Sequence, residues 1–136
     1  MSWAEDYIGR PWEAGATGPA AFDCMSFAAE IQRRHFGVEM PMITIPDYND
    51  RRALVGLLNS HAERQRWVLV GSPEPGDLVV IRSPLHLGIW LADDGGGVLH
   101  CVRGCGVIFT RDAHWHLSGL GRRQYFRFQG ALCSHR

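Results

Sequence analysis

From residue 67 onward the apolar residues fall into short runs separated by turn formers: WVLV, DLVVIR, HLGIWLA, GVLHCV, GVIFTR and a last run, RQYFRFQ. Short runs rich in β-branched and aromatic residues, bounded by Gly, Pro, Asp and Ser, predict strands. The DDGGG stretch at 93–97 predicts a hairpin between two of them. Upstream the period changes. In CMSFAAEIQRRHFG the apolar residues Cys24, Phe27, Ala28 and Ile31 lie on one face at helical spacing, with Asp23 standing as a cap and Gly37 as a stop. Residues 1–10 predict a short helix ending at Gly9, ahead of Pro11. Residues 11–22, rich in Gly, Pro and Ala, read as irregular loop, as do 41–48 with their two prolines. Residues 49–67 predict a second amphipathic helix, with Leu54, Leu57, Leu58 and Ala62 inward and Arg51, Arg52, Glu63, Arg64 and Arg66 outward. The order is helices, then an antiparallel meander. That is an α+β pattern with the helices packed on one face of a sheet.

Length and charge narrow the function classes. With 136 residues and no repeat or linker, the chain reads as one domain, 1–136, large enough to fold without a disulfide or metal. The formal net charge is zero, so no long-range attraction to nucleic acid or to an anionic membrane is expected. No apolar stretch approaches the ~18 residues a membrane helix needs, so no membrane insertion is expected. The start, MSWAEDYIGRPW, has no secretory character, so the expectation is cytoplasmic synthesis, with any export left to another agent. Cys24, Cys101, Cys105 and Cys133 are read as free thiols.

Three residues could carry chemistry. Cys24 falls at the first turn of the predicted helix, where unpaired N–H groups and the macrodipole favour an anion. A thiol there is expected to have a lowered pKa, and the same N–H groups suit an oxyanion. The plainer reading of a free cysteine is an inert core residue. His86 opens the strand HLGIWLA, where an imidazole could take the thiol proton and return it to a leaving amine. His100 lies in the partner strand across the DDGGG turn and could orient that imidazole. The plainer reading of His86 is a surface or turn histidine, and that of His100 a half-buried strand histidine bonded to backbone. A zinc site built from His100, Cys101, Cys105, His114 and His116 is disfavoured. The spacing lacks paired ligand couplets, and the adjacent His100 and Cys101 point to opposite faces of a strand. No metal or cofactor is expected.

These residues also carry a resemblance. GRPWEAGATGPAAFDC at 9–24, PGDLV at 75–79 leading to HLGI at 86–89, and VLH at 98–100 resemble, in order, the motifs of the NlpC family of cell-wall peptidases. The likeness spans roughly residues 7–110, and its joint match is far more specific than any one motif. It implies a papain-like fold, with Cys24 as nucleophile, His86 as general base and acid, and His100 as the orienting third residue. Asp23, the acid before the nucleophile, takes a capping and positioning role. The implied substrate is a peptidoglycan stem peptide, cut between D-γ-glutamate and a diamino acid. The chain departs from the family pattern at Trp12, where a Tyr associated with the oxyanion site usually stands. It departs again at Ala14 and Ala16, and at Met25-Ser26 in place of Ser-Gly. Three readings follow: a Cys-His-His wall hydrolase, a weak or inactive structural part of the same fold, and a papain-like amidase toxin or acyltransferase. The tail of the chain, GVIFTRDAHWH to RRQYFRF, resembles versions of this domain in phage tail genes, which implies tail proteins as partners and delivery to the wall by a particle.

Overall fold

The computed structural model describes residues 3–40, 67–82 and 85–128. Its one α-helix among these, α1 (Cys24–Phe36), begins and ends where the pattern places it. The Ser26 amide donates to Asp23 Oδ1 at 2.7 Å, and the Asp23 amide donates back to Ser26 Oγ at 3.1 Å. This reciprocal cap satisfies two groups that a helix start otherwise leaves open. The Ser26 hydroxyl also donates to Ala16 O at 2.7 Å, which ties the 11–22 loop to the helix start. Gly37, at φ 68°, closes the other end in the left-handed conformation that glycine adopts without strain. The buried surface of α1 is wider than the predicted stripe, because Met25, Ser26 and Gln32 are buried as well. Gln32 is accommodated by donating to Gly76 O at 2.7 Å.

Where a short helix ending at Gly9 was expected, the described residues 3–10 hold a 3-10 helix, Trp3–Asp6. Only three residues separate Trp3 from Tyr7, and both side chains are held by α1: Trp3 stacks on His35 at 3.7 Å, and the Tyr7 hydroxyl meets His35 Nε2 at 3.1 Å. Tertiary packing sets this segment, overriding its propensity. Beyond it the chain joins a sheet edge. Gly9 N–H donates to Val107 O at 3.0 Å, and Val107 N–H donates to Arg10 O at 2.9 Å.

Six antiparallel strands follow: β1 (Trp67–Val70), β2 (Leu78–Arg82), β3 (Leu85–Leu91), β4 (Gly97–Val102), β5 (Gly106–Arg111) and β6 (Arg123–Phe128). The second helix predicted over 49–67 lies outside the described residues except for Trp67, which opens β1. The strand order is β1-β6-β2-β3-β4-β5. The expected meander therefore holds for β2 to β5 only, and β6 returns to lie between β1 and β2. Two features of the chain account for the insertion. The β1–β2 link carries Pro73 and Pro75, which do not suit a tight hairpin. The buried Asp77 carboxylate, at the foot of β2, takes a two-pronged bond from Arg127 of β6, at 3.0 and 2.8 Å.

Alternation divides the sheet into two faces. Leu78, Val80, Leu87, Ile89, Leu99 and Cys101 join the main core with the Phe27 and Ile31 side chains of α1. Val79, Ile81 and Val98 face the other way and pack with Trp115, from the 3-10 helix Asp112–Leu117. His100 lies on this second face, its ring 5.7 Å from that of Trp115. Cys101, the next residue, joins the main core and donates from Sγ to Phe22 O at 3.3 Å.

Candidate active site

The site forms where two strands stop pairing. β3 and β4 are in register only over Ile89–Leu99, Trp90–Val98 and Leu91–Gly97. The first half of β3 pairs with β2 alone, through Leu87–Val80, His86–Ile81 and Leu85–Arg82. Gly88 stands at the parting. A Cβ there would come within 2.5 Å of Val98 Cγ1 and 3.0 Å of His100 Cβ, so only glycine lets β4 approach this closely.

Within this parting the two histidines meet. His86 Nε2 lies 2.7 Å from His100 Nδ1, with the rings inclined at 64°. His100 Nε2 in turn lies 2.9 Å from the hydroxyl oxygen of Thr110 on β5. Both histidines are buried, His86 to 6% exposure and His100 to 0%. Burial lowers the His86 pKa to about 4. Burial, with His86 nearby, also holds His100 well below its ordinary value. Both rings are neutral at pH 7.

Cys24, the first residue of α1, reaches the same strand. The amide of Leu87, the residue after His86, favours its thiolate most, followed by its own amide and that of Met25. The last two are amides that the helix start was expected to supply. The expected fall in thiol pKa is not what results. Cys24 is 6% exposed, and burial pushes its thiol up to about 11, with the Asp23 carboxylate raising it further against the pull of the three amides. Loss of water costs a thiolate more than these amides return. The resting site therefore holds a neutral thiol at the start of α1 and a neutral imidazole on β3. Cys101 is pushed up further, to about 12, chiefly by burial, as suits a core thiol.

Asp23 caps α1, as read from its position. Trp12 is bridged to Phe22, two residues ahead of Cys24, and its indole faces the Arg103 guanidinium at 4.9 Å. Of the residues weighed for zinc, His114 pairs with Arg111 at 3.3 Å, and His, Cys, Asp and Glu side chains among the described residues form no group of three able to hold a metal. No described helix is long and apolar enough to cross a membrane.

Sequence reasoning missed Thr110, Trp115 and the Leu87 amide. The signal for Thr110 is the alternation in GVIFTR. Val107 is buried in the main core, so Thr110 falls on the face opposite to it, the one that carries His100.

The model of the NlpC/P60 family matches residues 9–119. The chain belongs to the NlpC/P60 family. Its fold is similar to that in the crystal structure of the NlpC/p60 domain of the peptidoglycan hydrolase SagA, with a TM-score of 0.58 at 22% identity, covering 90% of this chain and 91% of that one. No curated protein matches the chain. The papain-like, α+β architecture expected from the sequence is thus the architecture found. Membership in the NlpC/P60 family implies a cell-wall peptidase.

Proposed function

We propose that this NlpC/P60 domain is a cysteine endopeptidase that cuts peptidoglycan stem peptides between D-γ-glutamate and a diamino acid, with Cys24, His86 and His100 as a triad. The observation that carries the reading is the 2.7 Å bond between His100 and His86, on a strand whose next amide, that of Leu87, favours the Cys24 thiolate. The thiol holds its proton until attack begins. His86 then takes that proton as Sγ bonds to the amide carbonyl carbon, and His100 steadies the imidazolium that forms. The helix-start amides suit the oxyanion, and the leaving amine takes the proton back from His86. Water attack on the thioester, with His86 as base, releases the second product and restores the thiol.

Muropeptides digested with the wild type and with Cys24→Ala, then weighed by mass spectrometry, test the reading. It requires fragments cut after D-γ-glutamate that disappear in a folded Cys24→Ala variant. Undiminished turnover in that variant would end it.

A second reading, a structural component with little turnover, is favoured by the burial of both the thiol and the imidazole, which moves their pKa values apart, to about 11 and about 4. The same digest separates the two, since that reading requires no cleavage by the wild type. Delivery by a phage tail, with tail proteins as partners, rests on the likeness of the C-terminal run alone. Lysis on periplasmic but not cytoplasmic expression is its first test, because it asks whether the chain needs a carrier to reach the wall. An amidase toxin or acyltransferase with a cytoplasmic target would give the opposite pattern.

A further inference from the structure

The geometry points to Thr110 as a positioning residue that selects the tautomer of both histidines and so leaves His86 Nδ1 free to act as the base. This rests on the triad reading above. Each neutral imidazole carries one N–H. One proton must sit in the 2.7 Å contact between His86 Nε2 and His100 Nδ1, and only two arrangements allow that. In the first, His86 Nε2–H donates to His100 Nδ1, and His100 Nε2–H donates to Thr110 Oγ1 at 2.9 Å. In the second, every donor is reversed: the Thr110 hydroxyl donates to His100 Nε2, His100 Nδ1–H donates to His86 Nε2, and His86 carries its proton on Nδ1.

The two are chemically unlike. His86 Nε2 is engaged with His100, so Nδ1 is the nitrogen that can receive the thiol proton. In the first arrangement it holds a lone pair. The S–H proton moves to Nδ1, Nε2–H stays where it is, and the resulting imidazolium donates more strongly to His100. In the second arrangement Nδ1 is already protonated and can take nothing. Thr110 decides between them by whether its oxygen accepts or donates. Thr110 and His100 both border a hollow of about 250 Å³ between β4, β5 and the Asp112–Leu117 turn. Water can enter a hollow of that size and take the hydroxyl proton, which turns the oxygen's lone pair toward His100. His100 borders the same hollow but has 0% exposure, so its Nε2–H meets no solvent there and has Thr110 Oγ1 as its acceptor. Thr110 lies opposite Val98, a diagonal step from His100 on one face of the β4–β5 pair, and Trp115 covers the ring from outside.

The test uses the full chain with Thr110→Val, which keeps the shape and removes the hydroxyl, and Thr110→Ser, which keeps the hydroxyl. Nitrogen-15 spectra of the histidine rings read the tautomers directly. The wild type and Thr110→Ser are expected to show Nε2–H on both His86 and His100, and Thr110→Val a shift toward Nδ1–H on both. On muropeptides, kcat in Thr110→Val is expected to fall at least about tenfold with KM unchanged, and Thr110→Ser to stay near the wild type. Unchanged tautomers in Thr110→Val overturn the proposal, and so does a wild type carrying His100 as Nδ1–H or an undiminished kcat. If the wild type cleaves nothing, the proposed function fails on that result, and the ring spectra alone decide the role of Thr110.

Discussion

His86 and His100 are joined at 2.7 Å at a point where the strands carrying them no longer pair. Two neighbouring strands in full register hold their side chains in a fixed lattice. The parting past Gly88 releases the His86 end of β3 from β4, where the Leu87 amide favours the thiolate of Cys24 at the start of α1. A strand in full register on both sides would have spent that amide on its neighbour.

Gly88→Ala tests this arrangement. The added methyl would meet Val98 Cγ1 at 2.5 Å and His100 Cβ at 3.0 Å, and both belong to a packed strand with little room to give. The variant should lose about 1–3 kcal/mol in urea unfolding, as overpacked sites do. Its muropeptide turnover should fall further than that loss explains, because His100 is displaced from His86. A Gly88→Ala protein with wild-type turnover would mean that the spacing of the two rings is not set at this glycine.

The ionisation of Cys24 makes a separate prediction. With the thiol pushed up to about 11, iodoacetamide should label Cys24 slowly at pH 7, and the rate should climb through pH 9 and 10. A plateau of fast labelling near pH 6 would instead reveal a thiolate–imidazolium pair at rest. Labelling of Cys24→Ala subtracts the contribution of the exposed Cys105.

How much of this was legible beforehand differs between elements for physical reasons. The start and stop of α1 were readable because caps are local: Asp23 and Gly37 act within a turn of where they stand. The DDGGG turn was readable for the same reason, and its 3-10 turn, Asp93–Gly95, joins β3 to β4. The place of β6 was not, because pairing between Leu78 and Phe126 is a contact across the chain that no local pattern specifies. At the site, residue types and motif order singled out Cys24, His86 and His100. The direction of the Cys24 shift was missed, because the helix start is visible in sequence and the depth of burial is not.

Acid should weaken the fold through His86. Its pKa is about 4 in the folded state against 6.5 ordinarily, so the unfolded chain binds the proton first as pH falls. The contribution is fully present above pH 6.5, declines below it, and is lost as pH passes through 4. A shift of this size corresponds to about 3 kcal/mol. Urea unfolding at pH 7, 5.5 and 4.5 should show the decline, and His86→Gln should flatten it. His100 is lowered by the same burial, so some slope will persist in that variant.

Ser26 offers a last test, at the position where the resembled motif has glycine after its own serine. Here the side chain does two things: its oxygen accepts from the Asp23 amide at 3.1 Å, and its hydroxyl donates to Ala16 O at 2.7 Å. The first completes the helix cap, and the second holds the 11–22 loop, with Trp12 in it, against the residue before the nucleophile. Ser26→Ala should therefore cost about 1 kcal/mol from the cap alone. Asp23→Ala removes the complementary half, and the two losses should fall short of additive, because each variant breaks one box that works as a unit. The Ala16 carbonyl also accepts from the Asp23 amide at 3.2 Å, which both variants keep, but only Ser26→Ala removes its shorter bond, so only that variant should raise the proteolytic sensitivity of the 11–22 loop at a matched loss of stability. Equal sensitivity in both variants would assign the loop's order to Asp23 and the bridge between Trp12 and Phe22.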